Sequence, residues 1–344
     1  NPTWSKAQSW LMALQFATTL LFAQLASLPD IMMPALRSRE MSGLAMNVEQ
    51  IARMMNSQDR AELVQFATDM GTVSQDMIHE AITAGFGSEW MDPGARKFTD
   101  AFFTYTGLEH WTRLTRIVAT GMARDFLIKH AVDPNQRSER YLTELEIDAG
   151  IIQAWLDSGK DFNTPAGKEV QLAIMRFTDE AILRPNSAER PTYGSDPRFM
   201  LLFQLKGFYY SFGQKVVGGL YREMQSRRAA GESIPAAMTP MLIAGVALMP
   251  LAAIALGIRE ELKYEDGEEP TARMDSSDYL FELVSRSGFL GPLEIPKSMF
   301  DAADYGTPFW VAPAGPTAGT AYDLINSEGW DGLSRLIPVY NQLK

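Results

Sequence analysis

The sequence predicts an all-α protein, and three observations predict it. Apolar side chains recur at helical spacing, with almost no period-two alternation. Capping residues followed by proline mark helix starts along the chain. Two long stretches carry no charge at all. The architecture expected is a multi-helix assembly of long amphipathic helices, one apolar helix or helical hairpin, and an extended Pro/Gly-rich C-terminal segment. Four regions follow from the changes in composition: 1–40, 41–232, 233–258 and 259–344.

Taken in order, Ala7 to Pro29 is a run of 23 residues without charge. That is long enough for a bilayer at 1.5 Å per residue. Gln8, Gln15 and Gln24 interrupt it, which favours a buried or membrane-surface helix. Pro29 and Pro34 are expected to break it. In 42–84, Leu44, Val48, Ile51 and Met55 fall on one helical face, and two or three amphipathic helices are expected. After the Gly85-Phe86-Gly87 and Asp92-Pro93-Gly94 loop signals, one long aromatic-rich helix should run from Ala95 to about Ala131. Thr164-Pro165 starts a helix whose face is Val170, Ile174, Phe177 and Ala181, and Arg184-Pro185 stops it. Asp196-Pro197 repeats the signal before a run rich in Phe and Tyr. Gly207, Gly213, Gly218 and Gly219 in that run suit close helix approach.

Ser233 to Ile258 holds 26 residues with no charge. Met241, Leu242, Ile243, Val246, Leu248, Met249, Leu251, Ile254 and Leu256 are its candidate membrane-inserting side chains. Arg222, Arg227 and Arg228 precede it and Glu260, Glu261 and Glu265 follow, so a spanning helix would keep the arginine side cytoplasmic. The other reading is a buried core helix, or a hairpin kinked at Pro250. Beyond it, Asp275 to Ser285 reads as a short helix. Gly291-Pro292, Pro296, Pro308, Pro313 and Gly315-Pro316 mark an extended path, and a last amphipathic helix is expected near Gly319 to Asn326.

Composition narrows the function. The 344 residues carry 31 basic and 42 acidic side chains, a net charge of −11. Blanket neutralisation of duplex phosphates needs the opposite balance. The absence of cysteine removes disulfides, thiolate zinc sites and cysteine nucleophiles. The 19 methionines suit either a helical core or surfaces that change partners. The opening Asn1-Pro2-Thr3-Trp4, without an initiator methionine, reads as part of a longer polypeptide.

Motifs for chemistry are sparse. His79-Glu80 resembles the start of a zincin helix, but Thr83 stands where the second histidine belongs. His110 and His130 lack a ligand partner at i+4 and read as structural. No nucleophile elbow or phosphate-binding loop occurs. Asp179 and Glu180 read as an ion-paired face with Arg176 and Arg184. No cofactor, metal or catalytic residue is expected.

The block from Asp179 to Thr192, with Arg184, Pro185, Asn186, Glu189, Arg190 and Pro191 at its corner, has the texture of a fixed interhelical turn. Together with Leu205-Lys206-Gly207-Phe208-Tyr209-Tyr210-Ser211-Phe212 it resembles the internal virion, or DNA-ejection, proteins of short-tailed bacteriophages and the C-terminal region of large polyvalent phage proteins. Leu28 to Arg37, Ala314 to Gly319 and Ile337-Pro338 add to the likeness. The resemblance implies a non-enzymatic module packed in the virion interior near the portal, which reassembles in the host envelope. Its partners would be copies of itself, other phage internal virion and portal proteins, the host inner membrane, and double-stranded DNA passing without sequence-specific binding. Any peptidoglycan-cleaving activity would lie outside these residues. An unrecognised soluble helical enzyme domain and a cellular helical membrane protein are the alternatives.

Overall fold

A computed structural model describes residues 2–19, 27–74, 78, 91–135, 137–182, 212–263, 271, 274–287 and 296–300, with single positions at 308, 311, 319, 322, 325 and 326. The elements among them are helical, without a strand. Helix α1 (Pro2–Thr19) is followed by a 3-10 turn (Leu28–Met32) and α2 (Met33–Ser38). Residues 20–26, over which the first helix would reach Pro29, lie outside the described residues, and from Leu28 to Ser38 the chain forms two short elements rather than one helix. Pro29 and Pro34 each occupy the first turn of one of them, where the missing N–H has no partner to lose.

Helices α3 (Met41–Met55) and α4 (Ser57–Asp69) meet at Asn56, whose side chain accepts from the Gln58 N–H at 3.1 Å. Of the expected face of α3, Leu44 and Ile51 pack against the core, and the other two residues are a correction. Val48 and Met55 are exposed, while Gly43, Asn47 and Gln50 are buried. Hydrogen bonds explain the rotation: the Asn47 amide donates to the Ile31 carbonyl at 3.0 Å and Gln50 to Asp125 at 2.6 Å. Their NH2 groups are paired in this way, while the Asn47 and Gln50 amide oxygens are buried without a hydrogen bond.

The single long helix expected from Ala95 is two, α5 (Pro93–Tyr105) and α6 (Leu108–Val132). Asp92 caps the first by accepting from the Gly94 N–H. Gly107, at φ 82°, breaks the run in a left-handed conformation that other residues disfavour. Then come α7 (Ser138–Glu144), α8 (Ala149–Asp157) and α9 (Pro165–Ala181). Thr164 caps α9 through the Gly167 N–H at 3.0 Å, and Val170, Ile174, Phe177 and Ala181 are all buried as their spacing predicts.

Helix α6 is the axis of the molecule, with α2, α3, α4, α5, α7, α8 and α9 packed around it. Phe126 on α6 meets Phe177 at 5.1 Å and His130 at 4.4 Å between ring centroids. Trp155 and Tyr141 close the same core. A second cluster joins Met12 and Phe16 of α1 to Leu63, Phe103 and Ile117. The core is also polar. Arg116 is fully buried, donating to the Thr72 carbonyl and to Asp179, both at 2.6 Å.

Phe212–Val217 form a π-helical turn that enters α10 (Gly218–Ala229), followed by α11 (Ile234–Ala237), α12 (Thr239–Lys263) and α13 (Ser276–Arg286). Asp275 caps α13 through the Ser277 and Asp278 N–H groups. Helix α12 lies on the 3-10 turn and α2, with α10 and α13 beside it. A hairpin at Pro250 is overturned, because α12 is continuous with Pro250 inside it. Residues 296–300 are helical, so the C-terminal path is not wholly extended. Positions 319, 322, 325 and 326 are also helical, where a last helix is expected.

Candidate functional site

Helix α12 separates into two apolar faces. Ile243, Ala244, Ala247, Leu248, Ala252 and Leu256 are buried against the body. Leu242, Val246, Ile254 and Ile258 stand on the opposite side, 59%, 61%, 53% and 41% exposed. Pro250 falls on this outer line at the same four-residue spacing and is exposed as well. Met241, Met249 and Leu251 sit between the faces, half-buried. A proline here removes the donor for the Val246 carbonyl, and it does so on the outer side.

Thr239–Ile258 is long and apolar enough to cross a membrane, with a mean hydropathy of 2.4, yet only 33% of that stretch is buried. A helix hydrophobic all round is ordinarily enclosed on every side. This one is enclosed on one. Leu280 and Phe281 of the neighbouring α13 are exposed too, at 53% and 54%.

The flanking charges are partly structural. Of the arginines before α12, Arg227 is buried, donating to Glu223 at 2.8 Å and to the Arg39 carbonyl at 2.9 Å. Arg228 is exposed and donates to the Glu232 carbonyl. After α12, Glu260 is buried and accepts from the Thr271 hydroxyl.

Glu223 is the centre of the cluster that holds α10 in place. Its fully buried carboxylate accepts from Arg227, from the Tyr141 hydroxyl at 2.9 Å and from Arg140. Burial would raise this carboxyl. The Arg227 hydrogen bond and the Arg140 charge outweigh it and hold the group below its ordinary value. Tyr141 is pushed up to about 12, first by burial and then by the Glu223 charge.

A cavity of about 250 Å³ opens where α2, α7, α9 and α10 converge. Arg37 and Arg39 line it with Glu144, Glu180, Lys215 and Arg222. Arg37 donates to Glu180 at 2.5 Å, and Arg39 to Glu144 at 3.0 Å. Asp179 and Glu180 are ion-paired as expected, Asp179 to Arg116 and Glu180 to Arg37 on other helices; the expected partner Arg184 lies outside the described residues. Arg176 pairs instead with Glu146.

His130 is structural, with Nδ1 at 2.9 Å from the Ser138 hydroxyl. Its buried Nε2 has no hydrogen bond and stands 3.7 Å from Glu40. Burial lowers it to about 4, against the Glu40 charge that would raise it. His110 is exposed, and no metal-binding cluster occurs among the described residues. Arg184, Pro185, Asn186, Glu189, Arg190 and Pro191 lie outside the described residues, as does His79.

Comparison with family models, curated proteins and solved structures returns no match to this chain. The two-faced apolar helix and the charged cavity are therefore read from their own chemistry.

Proposed function

We propose that this chain is a non-enzymatic helical module of a phage DNA-ejection apparatus, in which α12 is the element that engages the host membrane. The observation that carries the reading is the outer face of α12. Leu242, Val246, Ile254 and Ile258 form an apolar stripe on a helix whose inner face already belongs to the core. Moving four half-exposed aliphatic side chains into hydrocarbon is worth about 4 kcal/mol. That is enough to localise the protein at a bilayer without first unfolding it.

The remaining parts follow from the resemblance of the sequence. The module is stored in the virion near the portal and reassembles in the host envelope as a homo-oligomer with other internal virion or portal proteins. The net charge of −11 suits a wall along which DNA slides without being gripped. A soluble enzyme is the second reading, and the cavity is the observation behind it. Glu144 and Glu180 within it are both held by arginines, which leaves neither poised as a base.

Outer-face substitution combined with liposome flotation tests the proposal. Leu242→Asn, Val246→Asn and Ile254→Asn together leave the buried face of α12 intact. Flotation lost in this variant while its helical circular dichroism is unchanged supports membrane engagement. Equal flotation of the two proteins, or none by the unaltered protein, sinks it.

A further inference from the structure

We infer that the outer face of α3 is a self-association surface, through which two copies of this chain pair antiparallel about a twofold axis. Met41, Ala45, Val48, Ala52 and Met55 are all exposed. Their spacing alternates between four residues and three, the repeat of a coiled-coil seam. At about 100° per residue they fall within about 80° of arc. On the opposite side Gly43, Asn47 and Gln50 are buried, so the body already covers the face of α3 that it needs. Met41, Val48 and Met55 are left 54%, 51% and 83% exposed.

The composition of the seam selects its occupant. Among the exposed residues of α3 the only charge is Glu49. Arg53 is half-buried and pairs with Glu62 at 3.3 Å. A helix lying on a bilayer carries lysine or arginine on its polar side and aromatic residues in its apolar stripe. The outer side of α3 has neither, and its one charge would oppose anionic headgroups. A partner helix fits instead, and the seam complements itself because large and small side chains alternate along it. A parallel copy in register would set alanine against alanine and leave voids between them. Run antiparallel, the larger side chains of one copy meet the alanines of the other, and the Met41 end of each lies at the Met55 end of its mate. Such a contact uses the same surface on both copies and closes at two. Methionine at the two ends adapts its shape to the neighbour. The 15 residues of α3 span about 22 Å and bury roughly 400 Å² on each copy, about half of a standard interface. The pair is therefore weak, with a Kd in the micromolar range.

This contact stands whether or not α12 enters a bilayer. Sedimentation equilibrium of the intact chain up to about 500 μM reads it, beside Val48→Glu and, as a control, Leu172→Glu at an exposed position of α9. A monomer–dimer equilibrium weakened at least about tenfold by Val48→Glu and unchanged by Leu172→Glu supports the surface. The chain has no cysteine, so Met41→Cys and Met55→Cys report the direction of pairing. A short bismaleimide should join the two variants when they are mixed and leave Met41→Cys by itself unjoined. Absence of association over that range, equal weakening by Leu172→Glu, or joining of Met41→Cys to itself overturns the inference. So does a dimer that survives Val48→Glu but is lost in the Leu242→Asn, Val246→Asn, Ile254→Asn variant, or a monomer whose binding to phosphatidylglycerol vesicles depends on Val48.

Discussion

Glu223→Gln is the perturbation whose cost follows most directly from the structure. The Glu223 carboxylate is completely buried and its partner Arg227 is 5% exposed at the side chain. Neutralising Glu223 leaves the Arg227 guanidinium inside the protein with a carbonyl partner but no counter-charge. Breaking a buried pair from one side costs about 3–5 kcal/mol. For a protein of this size that lowers the melting temperature by about 4–7 °C. The contact with Arg140 should matter far less, because Arg140 is 35% exposed; Arg140→Met is expected to cost about 1 kcal/mol or less. Urea denaturation followed by circular dichroism reads both. The double variant Glu223→Leu with Arg227→Met removes the stranded charge and should be more stable than Glu223→Gln. A Glu223→Gln protein within 1 kcal/mol of the parent would refute this account of how α10 is anchored.

Four further outcomes follow. His130, held near 4 in the folded chain against 6.5, takes up its proton more readily once unfolded. Its contribution is therefore intact above pH 6.5 and lost as pH falls toward 4, a change of about 3 kcal/mol; His130→Asn should flatten that slope in acid titrations of stability. Asp30 runs the other way, since burial pushes its carboxyl up to about 7. The folded state binds the extra proton, so this contribution is present below about pH 4 and fades as pH rises through 7; Asp30→Asn should remove the decline measured over that interval. Gly167→Ala should destabilise by about 1–3 kcal/mol, because its Cβ would stand 2.2 Å from the Asp161 carbonyl oxygen. Gly257→Ala on α12 meets nothing within 4 Å and should stabilise the helix by up to about 1 kcal/mol in thermal denaturation.

The parts of this fold legible in the sequence are those fixed locally. Thr164-Pro165 and the four-residue rhythm through Val170, Ile174 and Phe177 determine α9, because both cap and buried face lie within one helix. Asp275 and the short α13 are legible for the same reason. The Gly107 break is missed because aromatic periodicity continues on both sides of it. The face of α3 is half legible: Leu44 and Ile51 pack on the core, but its fully buried side chains include Asn47 and Gln50, whose partners Ile31 and Asp125 lie on other elements. The same holds for the cavity: Arg37 and Glu180 are 143 residues apart and no short motif joins them. Helix α12 presents a different difficulty. It is apolar on every side, so nothing in its pattern says which side the body covers. Packing decides that, through the 3-10 turn and α2 beneath it.

That division makes the outer face of α12 the place to test the central claim. Deleting the segment from Ser233 to Ile258 would also strip Ile243, Ala247, Leu248 and Ala252 from the core, confounding membrane loss with unfolding. The direct measurement is the vesicle partition coefficient of the intact protein against the Leu242→Asn, Val246→Asn, Ile254→Asn variant, with matched urea midpoints. A membrane-engaging helix predicts a fall of at least about a hundredfold. An unchanged coefficient would contradict it and return α12 to the role of a core helix with a bare side.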